Sequence, residues 1–239
     1  MPRQPRQEAA DAAYHVYCRG NEGRDVLATD ADKRVFLCTL ETAVGDMGWI
    51  CIAFCVMTNH YHLIVITPLA NLAAGMHLLN SSYATRYNHA HGHAGHVFQS
   101  RYGARLLRTS SELLHATRYA LLNAAAAGLC DAPEEWPWSS LPATLGMCDP
   151  PPFLSPGRVL ALLGGSPADA RVELRRFLQA AVDPPPRPEL DELVRRLDTQ
   201  AILVAHRRHG YTMKEIAEHL GVAPSTITRR LQGRQVRRP

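Results

Sequence analysis

His60 and His62 flank Tyr61 in the run Met57-Thr-Asn-His-Tyr-His-Leu-Ile-Val65, an apolar stretch whose composition predicts a buried strand. Side chains alternate across a strand, so the two imidazoles share one face and Tyr61 takes the other. Two imidazoles side by side on a rigid strand can hold one metal ion, which two helix positions at the same spacing cannot. A lone His-x-His also recurs by accident as a pair of partly buried structural histidines, so the pair needs support from elsewhere in the chain.

That support lies in the stretch Glu112 to Gly128, which has a helical pattern and carries Tyr119 and Asn123 four residues apart, on one helix face. A phenol titrates near pH 10 and is a poor nucleophile at neutral pH. Beside a cation that neutralises a phosphodiester it can attack phosphorus and form a covalent phosphotyrosine. The Asn123 carboxamide oxygen would add a third ligand to His60 and His62, leaving positions open for phosphate and water. Imidazole favours Mn2+ and cellular abundance favours Mg2+, so the expected cofactor is one of these two. Taken alone, Tyr119 fits equally well as an amphipathic-helix tyrosine packed on a sheet.

The surrounding pattern supplies the elements. Tyr14–Arg19 reads as a strand, Asp30–Asp46 as a helix, Trp49–Met57 and His60–Thr67 as strands joined by a short Thr58-Asn59 turn, and Asn71–Asn88 as a helix. Arg101–Arg108 reads as a fourth strand and Ser110–Ala127 as a third long helix, opened by a Thr109–Glu112 capping box and ended by Gly128. The order β-α-β-β-α-β-α predicts an α+β fold, a ferredoxin-like antiparallel sheet with helices on one face. Such a fold does not itself specify chemistry.

The chain has 239 residues, 46% of them hydrophobic, enough for one sizeable core and a smaller unit. No apolar segment reaches transmembrane length and no signal peptide opens the sequence, so a cytoplasmic protein without a membrane partner is expected. Six cysteines without a Cys-x-x-Cys pair predict reduced thiols. Proline clusters at 149–156 and 183–188 suggest three parts: a domain over 1–148, a linker with a short helix over 149–189, and a C-terminal unit over 190–239.

Charge separates these parts. Residues 1–150 carry 11 Lys and Arg against 13 Asp and Glu, whereas residues 151–239 carry 15 against 9. Ala217, Gly221 and Ile227 have the spacing of a helix-turn-helix, whose second helix would present Ser225, Thr226, Thr228, Arg229 and Arg230 to DNA.

His60-Tyr-His62, Gly95-His-Val-Phe-Gln-Ser-Arg-Tyr102, Tyr119 with Asn123, Gly128-Leu129, Trp136-Pro-Trp-Ser-Ser140 and the opening Tyr14-His-Val-Tyr-Cys-Arg-Gly-Asn21 together resemble the REP-associated tyrosine transposases, relatives of the single-tyrosine HUH transposases. The resemblance spans about residues 12–145. It implies a nuclease and strand transferase acting on single-stranded DNA beside a hairpin. His60, His62 and Asn123 would be the metal ligands, and Tyr119 the nucleophile that takes the 5′-phosphate and releases a 3′-hydroxyl. Thr58 and Ala124 stand where many family members have proline, and neither is a proposed ligand. The family also implies a possible homodimer, with the tyrosine acting in cis or in trans.

Arg86, Arg101 and Arg105 are candidate phosphate contacts and Tyr102 a candidate stacking residue for an unpaired base. Tyr61, Tyr83, Tyr87 and Tyr102 rival Tyr119 by residue type but lack its paired amide, and core or stacking roles suit them better. His89, His91, His93 and His96 read as a solvated or DNA-contacting loop. Two alternatives accompany the nuclease reading: a non-catalytic DNA-binding regulator derived from a transposase, and a hydrolase whose histidines activate water.

Overall fold

A computed structural model describes residues 8–180 and, beyond them, residues 190–194, 198, 199, 201, 202, 205 and 213–227. The chain forms two compact units, Met1–Ala180 and Ala181–Pro239.

In the first unit β1 (Ala12–Arg19), α1 (Asp30–Met47), β2 (Ile50–Val56), β3 (His60–Thr67), α2 (Leu72–His91), β4 (Gly103–Leu107) and α3 (Ser110–Ala126) follow one another. The sheet order is β2-β3-β1-β4, with every pairing antiparallel. This is the expected ferredoxin-like arrangement. Local chemistry sets its boundaries. Thr29 and Asp32 close a capping box at the start of α1, and Gly48 ends that helix with a left-handed φ of 65°. At α3, Thr109 accepts the Glu112 N–H as expected, but Glu112 reaches one residue further back and accepts the Arg108 N–H at 2.6 Å.

Strand alternation divides the interior in two. Tyr14, Val16, Cys18, Tyr61, Leu63 and Val65 pack with Phe36, Leu40, Met76, Leu79 and Tyr83, which places α1 and α2 together on one face. The opposite face holds Ile52, Ala53 and Ile64 against Ala120 and Leu121 of α3. Helices on one face therefore describes α1 and α2, while α3 covers the other side. A register shift between Cys51 and Ala53 lets Ile52 and Ala53 both reach the α3 side, as a β-bulge does.

Residues 149–180 do not form the expected linker. Phe153 and Leu154 are buried, Leu154 bridges Cys51 at the outer edge of β2, and Ser155 N–H donates to the Cys51 carbonyl at 2.8 Å. The helix α4 (Pro167–Gln179) then adds Ala170, Leu174 and Leu178 to the α3-side core. The prolines stop helices, but the apolar residues between them are drawn into the core. Trp136-Pro-Trp-Ser-Ser140 is a second strap on the same edge: Val56 N–H donates to Trp138 O, Trp136 Nε1–H to Val56 O, and Ser140 N–H to Phe54 O. Lys33 stands over both tryptophan rings at 5.7 and 5.6 Å.

The second unit has its own core of Val194, Ile202, Ala205, Ile216, Ala217 and Ile227. Its helix Met213–His219 ends in a turn where Gly221 has φ 63° and Val222 N–H bonds back to Ala217 O. Ala217, Gly221 and Ile227 thus occupy the core, turn and core positions that a helix-turn-helix requires. Among the described residues no helix is long and apolar enough to cross a membrane.

Candidate functional site

His60 and His62 begin β3, on the sheet face that α3 covers, with ring centroids 5.1 Å apart. α3 crosses this face and brings Asn123 and Tyr119 to the pair. Asn123 Oδ1 lies 3.1 Å from His60 Nε2, and the Tyr119 ring lies 5.3 Å from that of His62. The i, i+4 spacing on α3 and the i, i+2 spacing on β3 therefore meet at one point. Tyr119 remains 55% exposed.

A chain of hydrogen bonds orients His60. Asn59 Nδ2 donates to Gly23 O at 3.2 Å, which leaves Asn59 Oδ1 to accept from His60 Nδ1–H at 2.7 Å. The neutral ring then carries its lone pair on Nε2, facing the Asn123 carbonyl oxygen. Two acceptors 3.1 Å apart repel unless something positive lies between them. A divalent cation fits that gap, since two adjacent octahedral ligands at about 2.1 Å stand about 3.0 Å from each other. His62 is oriented in the same way: its Nδ1 shares a hydrogen bond with His15 Nε2 at 2.9 Å, so its Nε2 is the nitrogen left for a ligand.

Burial lowers all three imidazoles. His62 falls to about 3, through burial first and then the neighbouring His15 and His60. His15 falls to about 4, through burial and then the Arg105 guanidinium. Burial also lowers His60, against an opposing contribution from Asn123 and with help from Arg19. At neutral pH the rings are uncharged and their lone pairs free for a Lewis acid. Among the described residues no three His, Cys, Asp or Glu side chains form a metal-holding group, and the set assembled here is completed by an amide.

Strand register adds residues that motif spacing does not reveal. Tyr17 stands opposite His62 and Arg19 opposite His60 in the β1–β3 ladder, while Arg105 stands opposite His15 in β1–β4. The alternation of His15, Tyr17 and Arg19 with apolar Tyr14, Val16 and Cys18 is the sequence signal that could have found them.

The other expected residues are spread more widely. Arg105 is exposed on the site face and pairs with Glu112 at 3.7 Å. Arg86 lies on α2, beyond the opposite face, and Arg101 lines a cleft beside α2 with His77, Asn80 and His96. Tyr102 is buried at 7% exposure in the α1–α2 core, so its ring does not meet a base in this conformation. Tyr61 and Tyr83 are fully buried there as well. Of the histidine loop, His91 bonds Asp32 at 2.7 Å, and His93 bonds Asn88 and Arg24, each at 2.9 Å. Ser225 and Thr226 are exposed, and Thr228, Arg229 and Arg230 lie outside the described residues.

Residues 8–119 match the family model described as Transposase IS200 like. This part of the chain is similar to the IS200-like transposases. The match ends on Tyr119, so Asn123 lies outside the matched segment. A solved REP-associated tyrosine transposase bound to a REP hairpin has the same fold, with a TM-score of 0.51 and 17% identity over 59% of this chain and 82% of that one. A Deinococcus radiodurans R1 protein described as a candidate transposase aligns with a TM-score of 0.37 and 18% identity, over 46% of this chain and 89% of its own. Residues 189–232 match the family model of sigma-70, region 4, in line with the helix-turn-helix. No curated protein matches the chain.

Proposed function

We propose that the transposase unit cleaves and rejoins single-stranded DNA beside a hairpin, through a covalent 5′-phosphotyrosine on Tyr119. The observation that carries this reading is the meeting of Asn123 and Tyr119, from one face of α3, with His60 and His62, at 3.1 and 5.3 Å. His60 Nε2, His62 Nε2 and Asn123 Oδ1 would hold Mg2+ or Mn2+. When bound, such an ion would neutralise phosphate charge and polarise the P–O bonds.

The chain's own residues do the rest. Tyr119 Oη attacks phosphorus and loses its proton to solvent, the P–O3′ bond breaks, and the 3′-oxygen takes up a proton and leaves as a hydroxyl. A second 3′-hydroxyl reverses the attack, restoring a phosphodiester and a free phenol. The bond count is conserved, so joining needs no nucleotide cofactor. Asn59 and His15 keep the lone pairs of His60 and His62 turned inward. The basic C-terminal unit, through Ser225 and Thr226 and the Thr228, Arg229 and Arg230 that follow them in sequence, would add DNA affinity.

The test is incubation of labelled, hairpin-bearing single-stranded DNA with the full chain and Mn2+ or Mg2+. A covalent protein–DNA adduct that disappears in Tyr119→Phe is the expected result. Binding without cleavage would instead mark a regulator derived from a transposase. Cleavage that survives Tyr119→Phe without an adduct would mark a hydrolase.

A further inference from the structure

The site face is open at one end. Along β1 His15 is half-buried, its ring 5.7 Å from that of Tyr119 on α3, whereas Tyr17 and Arg19 are exposed. Tyr17 is 46% exposed, unusual for an aromatic residue in the second strand from a sheet edge. Its ring is seated on the backbone of Gly103: a Cβ added there would fall 2.3 Å from Tyr17 Cζ and 2.4 Å from Cε2. The absence of a side chain at 103 lets the ring lie against the strand and turn its other side outward. Its centroid is 6.0 Å from that of His62 and 5.6 Å from that of His15. Tyr119 touches the same two imidazoles at 5.3 and 5.7 Å. Two exposed tyrosines therefore border one histidine pair, but only Tyr119 shares a helix face with Asn123. The charges around Tyr17 suit a polyanion. Arg19 follows it on the same face of β1, and exposed Arg105 lies on the adjoining strand, only loosely paired with Glu112.

We infer that Tyr17 is a stacking platform for one unpaired base of single-stranded DNA next to the reacting phosphate, with Arg19 and Arg105 holding the adjoining phosphates. The inference rests on the single-strand reading given above. It adds where the strand lies, and it assigns Tyr17 a role other than that of a second nucleophile. A flat ring with one face free accepts any base, and flanking guanidiniums supply the charge that a sugar–phosphate backbone needs.

The probe is a 20-nucleotide oligothymidylate carrying 5-iodouracil, bound to the full chain in EDTA so that no cleavage intervenes. The wild-type chain should crosslink on illumination, with the adducted peptide containing Tyr17. Tyr17→Ala should bind the oligonucleotide about tenfold or more weakly and lose that crosslink. Tyr17→Phe, which keeps the ring, should restore binding. Gly103→Ala, which displaces the ring while leaving Tyr17 in place, should reduce the crosslink, and circular dichroism reports whether each variant is folded. If the wild-type chain binds and Tyr17→Ala binds and crosslinks equally well, the inference fails and the single-strand reading stands. If the wild-type chain does not bind, both fail. In the presence of Mn2+, a covalent adduct retained in Tyr119→Phe and lost in Tyr17→Phe would make Tyr17 the nucleophile and overturn the inference.

Discussion

Asn59 shows how much of the site depends on residues that touch neither metal nor substrate. Its amide is pinned by Gly23 O, and that fixes which His60 nitrogen carries a proton. Asn59→Ala should therefore weaken Mn2+ binding by roughly 10- to 100-fold, read by electron paramagnetic resonance titration without DNA. Unchanged affinity would show that His60 is held by packing alone. His15→Phe should act similarly through His62, because it removes the partner of Nδ1 and keeps the ring volume. The residues at this scale were unevenly legible. His60 with His62 and Tyr119 with Asn123 are visible from spacing within one element. His15 and Tyr17, 47 and 45 residues before His62, reach the site across a strand ladder, where a one-residue slip would turn them to the opposite face. Tyr102 shows the converse: in sequence an aromatic beside Arg101 resembles a stacking residue, and the fold leaves it only 7% exposed.

At the scale of elements, α2 packs so closely on Trp49 and the last residue of α1 that Gly75 has no room for a methyl group. A Cβ there would lie 2.1 Å from Trp49 Cζ2 and 2.8 Å from Met47 Cγ. Gly75→Ala would gain up to about 1 kcal/mol of helix propensity and lose about 1–3 kcal/mol to overpacking. A net fall in thermal midpoint is expected, and a rise would show that Trp49 can swing aside. The start of α1 also carries a pH dependence. Burial alone would raise the Asp32 carboxyl, but hydrogen bonds from Thr29 and the His91 ring outweigh it and hold the group below its ordinary 3.8. A carboxylate depressed by folding contributes stability above its ordinary value, and that stability is lost as pH falls toward the folded value. Denaturant midpoints of the wild-type chain should thus drop below about pH 4, and Asp32→Asn should flatten that drop. The sequence predicted every strand and long helix of the sheet-bearing unit to within a few residues, since periodicity and caps act locally. The fate of 149–180 was not legible, because proline clusters report where helices stop and not where buried Phe153 and Leu154 go.

At the scale of the molecule, each unit has its own core, and basic charge is concentrated in the second. A fragment ending at Ala180 should fold and, on the proposed function, still form the Tyr119 adduct. Its affinity for single-stranded DNA should depend less on salt, the slope of log K against log salt falling by about 0.7 for each phosphate contact removed. An unchanged slope would place the DNA contacts in the first unit. The two straps along β2 bear on a different question. Segments 138–140 and 154–155 occupy the outer hydrogen-bonding groups of that strand, while β4, at the far end of the sheet order, has no further strand beside it among the described residues. An unpaired edge is where another chain can add a strand. Among the described residues the sheet is thus finished on one margin only, and a second copy that extended it would have to join at Gly103–Leu107, the strand that carries Arg105 and the seat of Tyr17.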